Sequence, residues 1–203
     1  MIQRNLNNLF PFGSHLQHYW DRLTERERGM MLDEEGLFSL ALESVALHIA
    51  EKSPGDIIVD AFCGAAGSMI GFARKGKKVI AVDNNARRLG MARHNARLFD
   101  VEDHIEFIQG DCRDIIPTLK ADTVFLDPPW GGTDYNKAEK FSLSDFEPDG
   151  REILDLSFSL TPSVVLRLPK NFAMNELDKL GREYETERNT LNGRLLHYCV
   201  YFG

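Results

Sequence analysis

From residue 56 onward the chain alternates short apolar runs with stretches of helical period, and this rhythm restricts the fold more than any single residue does. Ile57–Phe62, Lys78–Asp83, Ile105–Gln109, Thr123–Leu126 and Val164–Leu168 read as strands, rich in branched and aromatic side chains. Ala66–Arg74 and Ala86–Phe99 carry helical spacing between them, and shorter helices are expected around Cys112–Leu119, Arg151–Leu160 and Met174–Leu180. Parallel strands need long crossovers, so the alternation predicts an α/β domain, a parallel sheet covered by helices on both faces. The rhythm breaks at the end of the chain. Tyr184–Leu191 and Leu195–Phe202 flank Asn192-Gly193, a pair suited to the positive φ angles of a tight turn, so an antiparallel hairpin should close the sheet. Upstream, Leu37–Lys52 places Leu37, Leu40, Ala41, Ser44, Val45, His48 and Ile49 near one face of a helix. The expected division is an N-terminal helical extension or lid over residues 1–55 and one domain over 56–203, with no repeat or linker between them.

Charge and length narrow the function. The chain has 203 residues, 43% of them hydrophobic, and a net charge of −7. That balance argues against coating long nucleic acid through its phosphates but is compatible with holding a single nucleotide. No apolar run is long enough to span a bilayer, and Met1–Asn8 has no signal pattern, so no membrane partner and a cytoplasmic location are expected, or a nuclear one in a eukaryote. Cys63, Cys112 and Cys199 lack C-x-x-C spacing and the histidines show no paired spacing, so neither a metal site nor a disulfide framework is indicated. Arg87-Arg88 with Arg93 and Arg97 read as a solvated helix face.

Three acids close three consecutive strands. Asp60 stands in the turn Val59-Asp60-Ala61-Phe62-Cys63-Gly64-Ala65-Ala66-Gly67, whose glycines Gly64 and Gly67 depart from the G-x-G-x-x-G spacing of dinucleotide binders. An acid inside that turn suits a ligand carrying a cationic amino group and suits a pyrophosphate badly, which points to S-adenosylmethionine over a nicotinamide dinucleotide. Asp83, with Asn84 after it, ends the second strand where a carboxylate can accept both hydroxyls of a ribose. Asp111 follows the third strand, placed to accept from an adenine amino group, with the Cys112 backbone N–H beside it. Phe62, Gly64 and Gly67 join this candidate cofactor set, as does Asp127 at the end of the fourth strand.

The fourth strand ends in Asp127-Pro128-Pro129-Trp130-Gly131-Gly132. Two prolines fix φ and remove two N–H groups, leaving carbonyl oxygens free to accept beside an aromatic plate. Such a site suits a flat ring bearing an amino group: Trp130 grips the ring face, while Asp127 and the Pro128 carbonyl take the N–H protons and aim the nitrogen lone pair at a methyl donor. Tyr135 would complete the cage.

Five βα units, a terminal hairpin and this acid series resemble a Rossmann-like class I S-adenosylmethionine-dependent methyltransferase, with a mostly parallel seven-stranded sheet ending in an antiparallel hairpin. From about Tyr19-Trp20 onward the chain is similar to the trimethylguanosine synthase family, the RNA cap guanine-N2 methyltransferases. The resemblance rests on Leu32-Asp33-Glu34-Glu35-Gly36-Leu37-Phe38-Ser39, Val59–Gly64, Ile105–Asp111, Pro128-Pro129-Trp130-Gly131-Gly132 with Asp134-Tyr135, and Tyr201-Phe202-Gly203. It implies that Trp130 stacks on the methylated guanine of a cap, that Phe38 and Ser39 help close the pocket over cofactor and substrate, and that Lys170 and Asn171 lie on the substrate side. It further implies S-adenosylhomocysteine as the product, an RNA or cap nucleotide as the substrate, a monomer, and a protein partner as a means of targeting RNA.

Four departures stand out. Asp127 replaces the family's usual Ser before Pro-Pro-Trp, giving the form shared with adenine-N6 and cytosine-N4 amino-methyltransferases. A basic residue near the cap phosphates corresponds to Met30 or Met31, an Arg after the fifth strand corresponds to Lys170, and Thr-Pro-Glu after Phe-Ser is Ala41-Leu42-Glu43. Three alternatives therefore stay open: an amino-methyltransferase acting on a base of rRNA, tRNA or DNA, a non-catalytic module of the same fold, and, least favoured, a nicotinamide-dependent oxidoreductase.

Overall fold

The computed structural model describes residues 17–131, 139–191 and 193–203. Its sheet contains β1 (Ile57–Asp60), β2 (Lys78–Asp83), β3 (Ile105–Gln109), β4 (Thr123–Leu126), β5 (Val164–Pro169), β6 (Tyr184–Leu191) and β7 (Arg194–Phe202), in the order β3-β2-β1-β4-β5-β7-β6. The first five strands run parallel, and β7 lies antiparallel to both β5 and β6. Leu191 pairs with Arg194 across the hairpin and Gly193 has φ +74°, as a two-residue turn requires. Asn192 lies outside the described residues.

Alternation along the strands builds two cores. Ile58, Phe125, Val165 and Cys199 face one side, under α3 (Glu43–Lys52), α4 (Gly67–Arg74) and α5 (Ala86–Leu98), where they meet Ile49, Phe72 and Ala92. Val59, Val124, Leu126 and Leu166 face the other, under α7 (Gly150–Leu160), which contributes Ile153 and Leu154. The connections are capped from sequence: the Asn85 side chain accepts from the N–H groups of Arg87 and Arg88 at the start of α5, and Asp149 from those of Arg151 and Glu152 at α7. α6 (Cys112–Ile115) is a single turn that passes into a 3-10 turn at Ile116–Thr118, where Pro117 prevents a longer helix. α8 covers only Asn175–Asp178.

The single helix expected over Leu37–Lys52 is two. α2 (Glu34–Ser39) is capped by Asp33, which accepts from Gly36 N at 2.7 Å, and α3 starts afresh after an extended Leu40–Leu42 segment. Leu37 and Ile49 are buried as the periodicity demands, so the apolar face survives while the backbone breaks. The break lays Leu40 and Ala41 across the start of α4: a Cβ on Gly67 would stand 2.9 Å from Leu40 Cδ1 and 3.0 Å from Ala41 N. One turn later a Cβ on Gly71 would stand 2.6 Å from the Ala46 backbone, so α3 crosses α4 at bare glycine. Gly67 is thus required by the chain's own covering segment, in addition to bordering the cavity described next. α1 (Gln17–Trp20) extends the cover, with Tyr19 edge-on to Phe38 at 5.2 Å.

Candidate active site

The strand order reverses between β1 and β4, and open α/β sheets place ligands outside the carboxyl ends of strands at such a point. A cavity opens there. Asp60 and Asp127 line it with Asp83 and Asp111, while Phe38 and Ser39 of α2 close one side.

Asp60 is 1% exposed, and its Oδ1 accepts from Phe62 N at 3.3 Å. Burial, then the charges of Asp127 and Asp83, push its carboxyl up to about 8. Among the described residues no cationic side chain pairs with it. Asp83 is tied into the backbone: Oδ2 accepts from Gly64 N at 2.9 Å and Oδ1 from Asn85 N at 2.8 Å, which holds the turn after β1 against the end of β2. That turn needs left-handed backbone at Gly64 (φ +51°) and at Ala66 (φ +86°), the latter a rare conformation for a residue with a Cβ. Asp111 caps α6 and takes two contacts from the Arg113 guanidinium, at 3.0 and 2.6 Å, which hold its carboxyl down at about 2. Burial raises the neighbouring Cys112 thiol to about 12, so it stays protonated.

Asp127 is half-buried, its side chain 19% exposed, and desolvation raises its pKa, but it has a counterion. Arg167 on β5 donates from Nη1 to Asp127 Oδ2 at 2.6 Å and to the Ser39 carbonyl at 3.0 Å. The same guanidinium lies 5.3 Å from the centroid of the Trp130 ring. Arg88 of α5 reaches the other end of the cover, pairing with Glu35 and, at 3.4 Å, with Asp33.

Phe62, Gly64, Gly67, Asn84, Cys112, Pro128 and Trp130 border this same cavity, so every expected cofactor residue and the Asp-Pro-Pro-Trp loop come together. Lys170 and Asn171 do not line it; they follow β5, Lys170 exposed and Asn171 half-buried. Tyr135 lies outside the described residues. Two participants escaped the sequence reading. Arg88 was read as part of a solvated face and is instead a strap to α2 at the cavity edge. Arg167 stands in an apolar run, and a lone arginine inside a buried strand was the available signal.

The donor set fits a cationic nucleoside: an acid-rich buried wall with an uncompensated Asp60, an acid at the end of β2, and glycine turns beside them. Strand order and site together define a class I S-adenosylmethionine-dependent methyltransferase. The profile of the RNA cap guanine-N2 methyltransferases matches residues 55–203, and the chain belongs to that family. Trimethylguanosine synthase of Schizosaccharomyces pombe is 30% identical over 210 residues, covering 95% of this chain and 87% of that protein. Trimethylguanosine synthase of Saccharomyces cerevisiae is 29% identical over 164 residues, covering 75% of this chain and 52% of that protein. Among solved structures, a methyltransferase fold from Porphyromonas gingivalis superimposes with a TM-score of 0.69 at 17% identity, over 87% of this chain and 44% of that one. The guanine-N2 expectation is supported over its alternatives. No helix among the described residues is long and apolar enough to cross a membrane.

Proposed function

We propose that this chain methylates the exocyclic N2 amine of guanine in an N7-methylguanosine cap or a cap-like RNA end. The observation that carries this reading is that the Asp127–Trp130 loop and the Asp60–Asp83 wall border one cavity, in a member of a family defined by cap guanine-N2 methylation. S-Adenosylmethionine, when bound, supplies an electrophilic methyl whose carbon–sulfur bond breaks with its electron pair left on sulfur, giving S-adenosylhomocysteine.

The protein's task is positioning. Asp60 answers the donor's cationic amino group. Asp83 with Asn84 takes the ribose, and Asp111 with the Cys112 N–H takes the adenine. Phe62, Gly64 and Gly67 shape the floor, and Phe38 and Ser39 the roof. Asp127 and the Pro128 carbonyl accept from the guanine N–H groups, which turns the nitrogen lone pair toward the methyl. As the N–CH3 bond forms, the nitrogen's surplus proton leaves to Asp127 or to water. Trp130 stacks on the base, with added cation–π attraction when N7 is methylated. Tyr135 completes the cage around the base, and Lys170 and Asn171 belong to the substrate's outer contacts. In the division proposed at residue 55, the described residues 17–55 form a helical cover over a catalytic domain of residues 56–203, a monomer brought to RNA by a protein partner, in the cytoplasm or in a eukaryotic nucleus.

The test is transfer from labelled donor to N7-methylguanosine triphosphate, N7-methyl-capped RNA, unmethylated-cap RNA and bulk tRNA with rRNA, read by nucleoside mass spectrometry. Label in N2,N7-dimethylguanosine is the expected outcome. Label confined to N2-methylguanosine or N6-methyladenosine of bulk RNA would show a changed substrate on the same fold.

A further inference from the structure

Arg167 touches three parts of the cavity at once. Leu126 pairs with Leu166 in the parallel register of β4 and β5, so the next residues, Asp127 and Arg167, fall side by side on one face of the sheet. Arg167 Nη1 donates to Asp127 Oδ2 and to the Ser39 carbonyl, and its guanidinium lies against Trp130. The side chain is only 7% exposed. With Oδ2 held by Arg167, Oδ1 accepts no hydrogen bond from another described residue, while Asp127 borders the cavity. One carboxylate oxygen is fixed and the other is left to receive.

A carboxyl taken largely out of water beside a second carboxyl has its pKa raised unless a cation opposes the rise. A protonated carboxyl donates, and it cannot take a proton from an amine. The family's usual serine at this position needs no such cation; aspartate does. We infer that Arg167 is a positioning residue matched to Asp127: it keeps that carboxylate ionised and aimed at the substrate amine, and it ties the covering segment at Ser39 to the same oxygen. This rests on the proposed role of Asp127 toward the amine.

The charged and titratable surroundings can be separated. Asp60 on β1 faces Asp127. On β7, burial and Arg167 hold His197 well below its ordinary pKa, and burial holds the Cys199 thiol up near 12. Arg22, after α1, feels Arg167 as a like charge. Of these, Asp60 is the group that titrates near neutrality; the donor cation lowers it, and its limb is identified by Asp60→Asn.

The experiment is the pH profile of kcat at saturating donor, from about pH 5.5 to 9.5, for the wild type and for Arg167→Leu, Arg167→Lys, Asp127→Ser and the Asp127→Ser/Arg167→Leu double variant. Calorimetry of S-adenosylhomocysteine binding accompanies each. At pH 7 Arg167→Leu should lose on the order of 10²-fold in kcat, with its acidic limb moved up by about one pH unit or more, while product binding changes far less. Arg167→Lys should return the limb toward its wild-type place without returning the full rate. In the Asp127→Ser background the leucine substitution should cost much less, and the limb should not move. An unshifted limb in Arg167→Leu, or an equal loss in both backgrounds, overturns the inference. If Arg167→Leu does not fold, Arg167→Lys is compared in the wild-type and Asp127→Ser backgrounds: a reduced rate with the limb near its wild-type place in the first and little loss in the second supports the pairing, and an equal loss in both overturns it. Asp127→Ala distinguishes the levels. Unchanged methylation there sinks the role of Asp127 itself, whereas impaired methylation with an unshifted Arg167→Leu limb sinks only the pairing.

Discussion

Asp60, buried, and Asp127, half-buried, are two carboxylates at the ends of adjacent strands of one cavity, and they differ in what stands beside them. Asp127 has Arg167 at 2.6 Å; Asp60 has Phe62 N and, nearby, other acids. Burial charges a high desolvation cost to an ionised group, and the chain offsets it in two ways. At Asp127 the protein supplies the cation permanently, which suits a group meant to meet a neutral amine. At Asp60, on the proposed reading, the cation is left for the ligand to bring: the carboxyl is pushed up to about 8 in the protein alone and would gain its charge partner on binding. The difference teaches that an unsatisfied acid can mark a ligand's charge as clearly as a satisfied one marks a preset catalytic group.

The largest effect that could break this contrast is at Asp60. Asp60→Asn should weaken S-adenosylhomocysteine binding by about 10- to 100-fold, since a charge-assisted contact is lost. Wild-type affinity should rise as pH increases toward about 8 and the variant's should lack that slope. The ligand-free protein should behave oppositely. A carboxyl raised from 3.8 to about 8 leaves stability complete below pH ~4 and erodes it as pH climbs through 8, so Asp60→Asn should gain melting temperature relative to wild type between pH 5 and 9. Calorimetry and thermal melts across that range check both signs; wild-type affinity in the variant at pH 9 would end the comparison.

A smaller effect sharpens it from the cover. A methyl on Gly67 would press on Leu40 and Ala41, next to the Ser39 carbonyl that Arg167 holds, without touching Asp60. Gly67→Ala should cost about 1–3 kcal/mol in a denaturant titration and should lower kcat more than it lowers product affinity. Equal losses in both would mean that cover and Asp127 side are not linked. The smallest effect is at Asp111, whose acid is paired at the surface. Arg113→Ala should let its carboxyl rise toward the ordinary range and shift product affinity by no more than about threefold. A tenfold change would place Asp111 with Asp60 and Asp127 as an electrostatically decisive acid.

The parts of the site readable from sequence are those set by local order. Asp60, Asp83 and Asp111 each close a strand, and the Pro-Pro pair fixes its own loop, so their placement follows from where strands end. The parallel alternation and the Asn-Gly hairpin were legible for the same reason. Arg167 was not, because its meaning depends on β5 lying beside β4 in a given register, and strand neighbours are not written in periodicity. Arg88 depends on α5 passing under α2. The break at Leu40–Leu42 was hidden because Leu37, Leu40, Ala41, Val45 and Ile49 keep a helical spacing across a backbone that is not helical there. Apolar period reports which side faces the core, and it is blind to a kink that preserves that side.

Gly67 and Gly71 sit one helical turn apart and give α4 a bare seam into which Ala41 and Ala46 fit. The family profile begins at residue 55, so a fragment cut at that boundary would leave the seam facing water. A shortened chain of that kind should therefore be sticky and poorly soluble, and crystallisation or display work would do better to keep the preceding helices or to fill the two glycines with polar side chains.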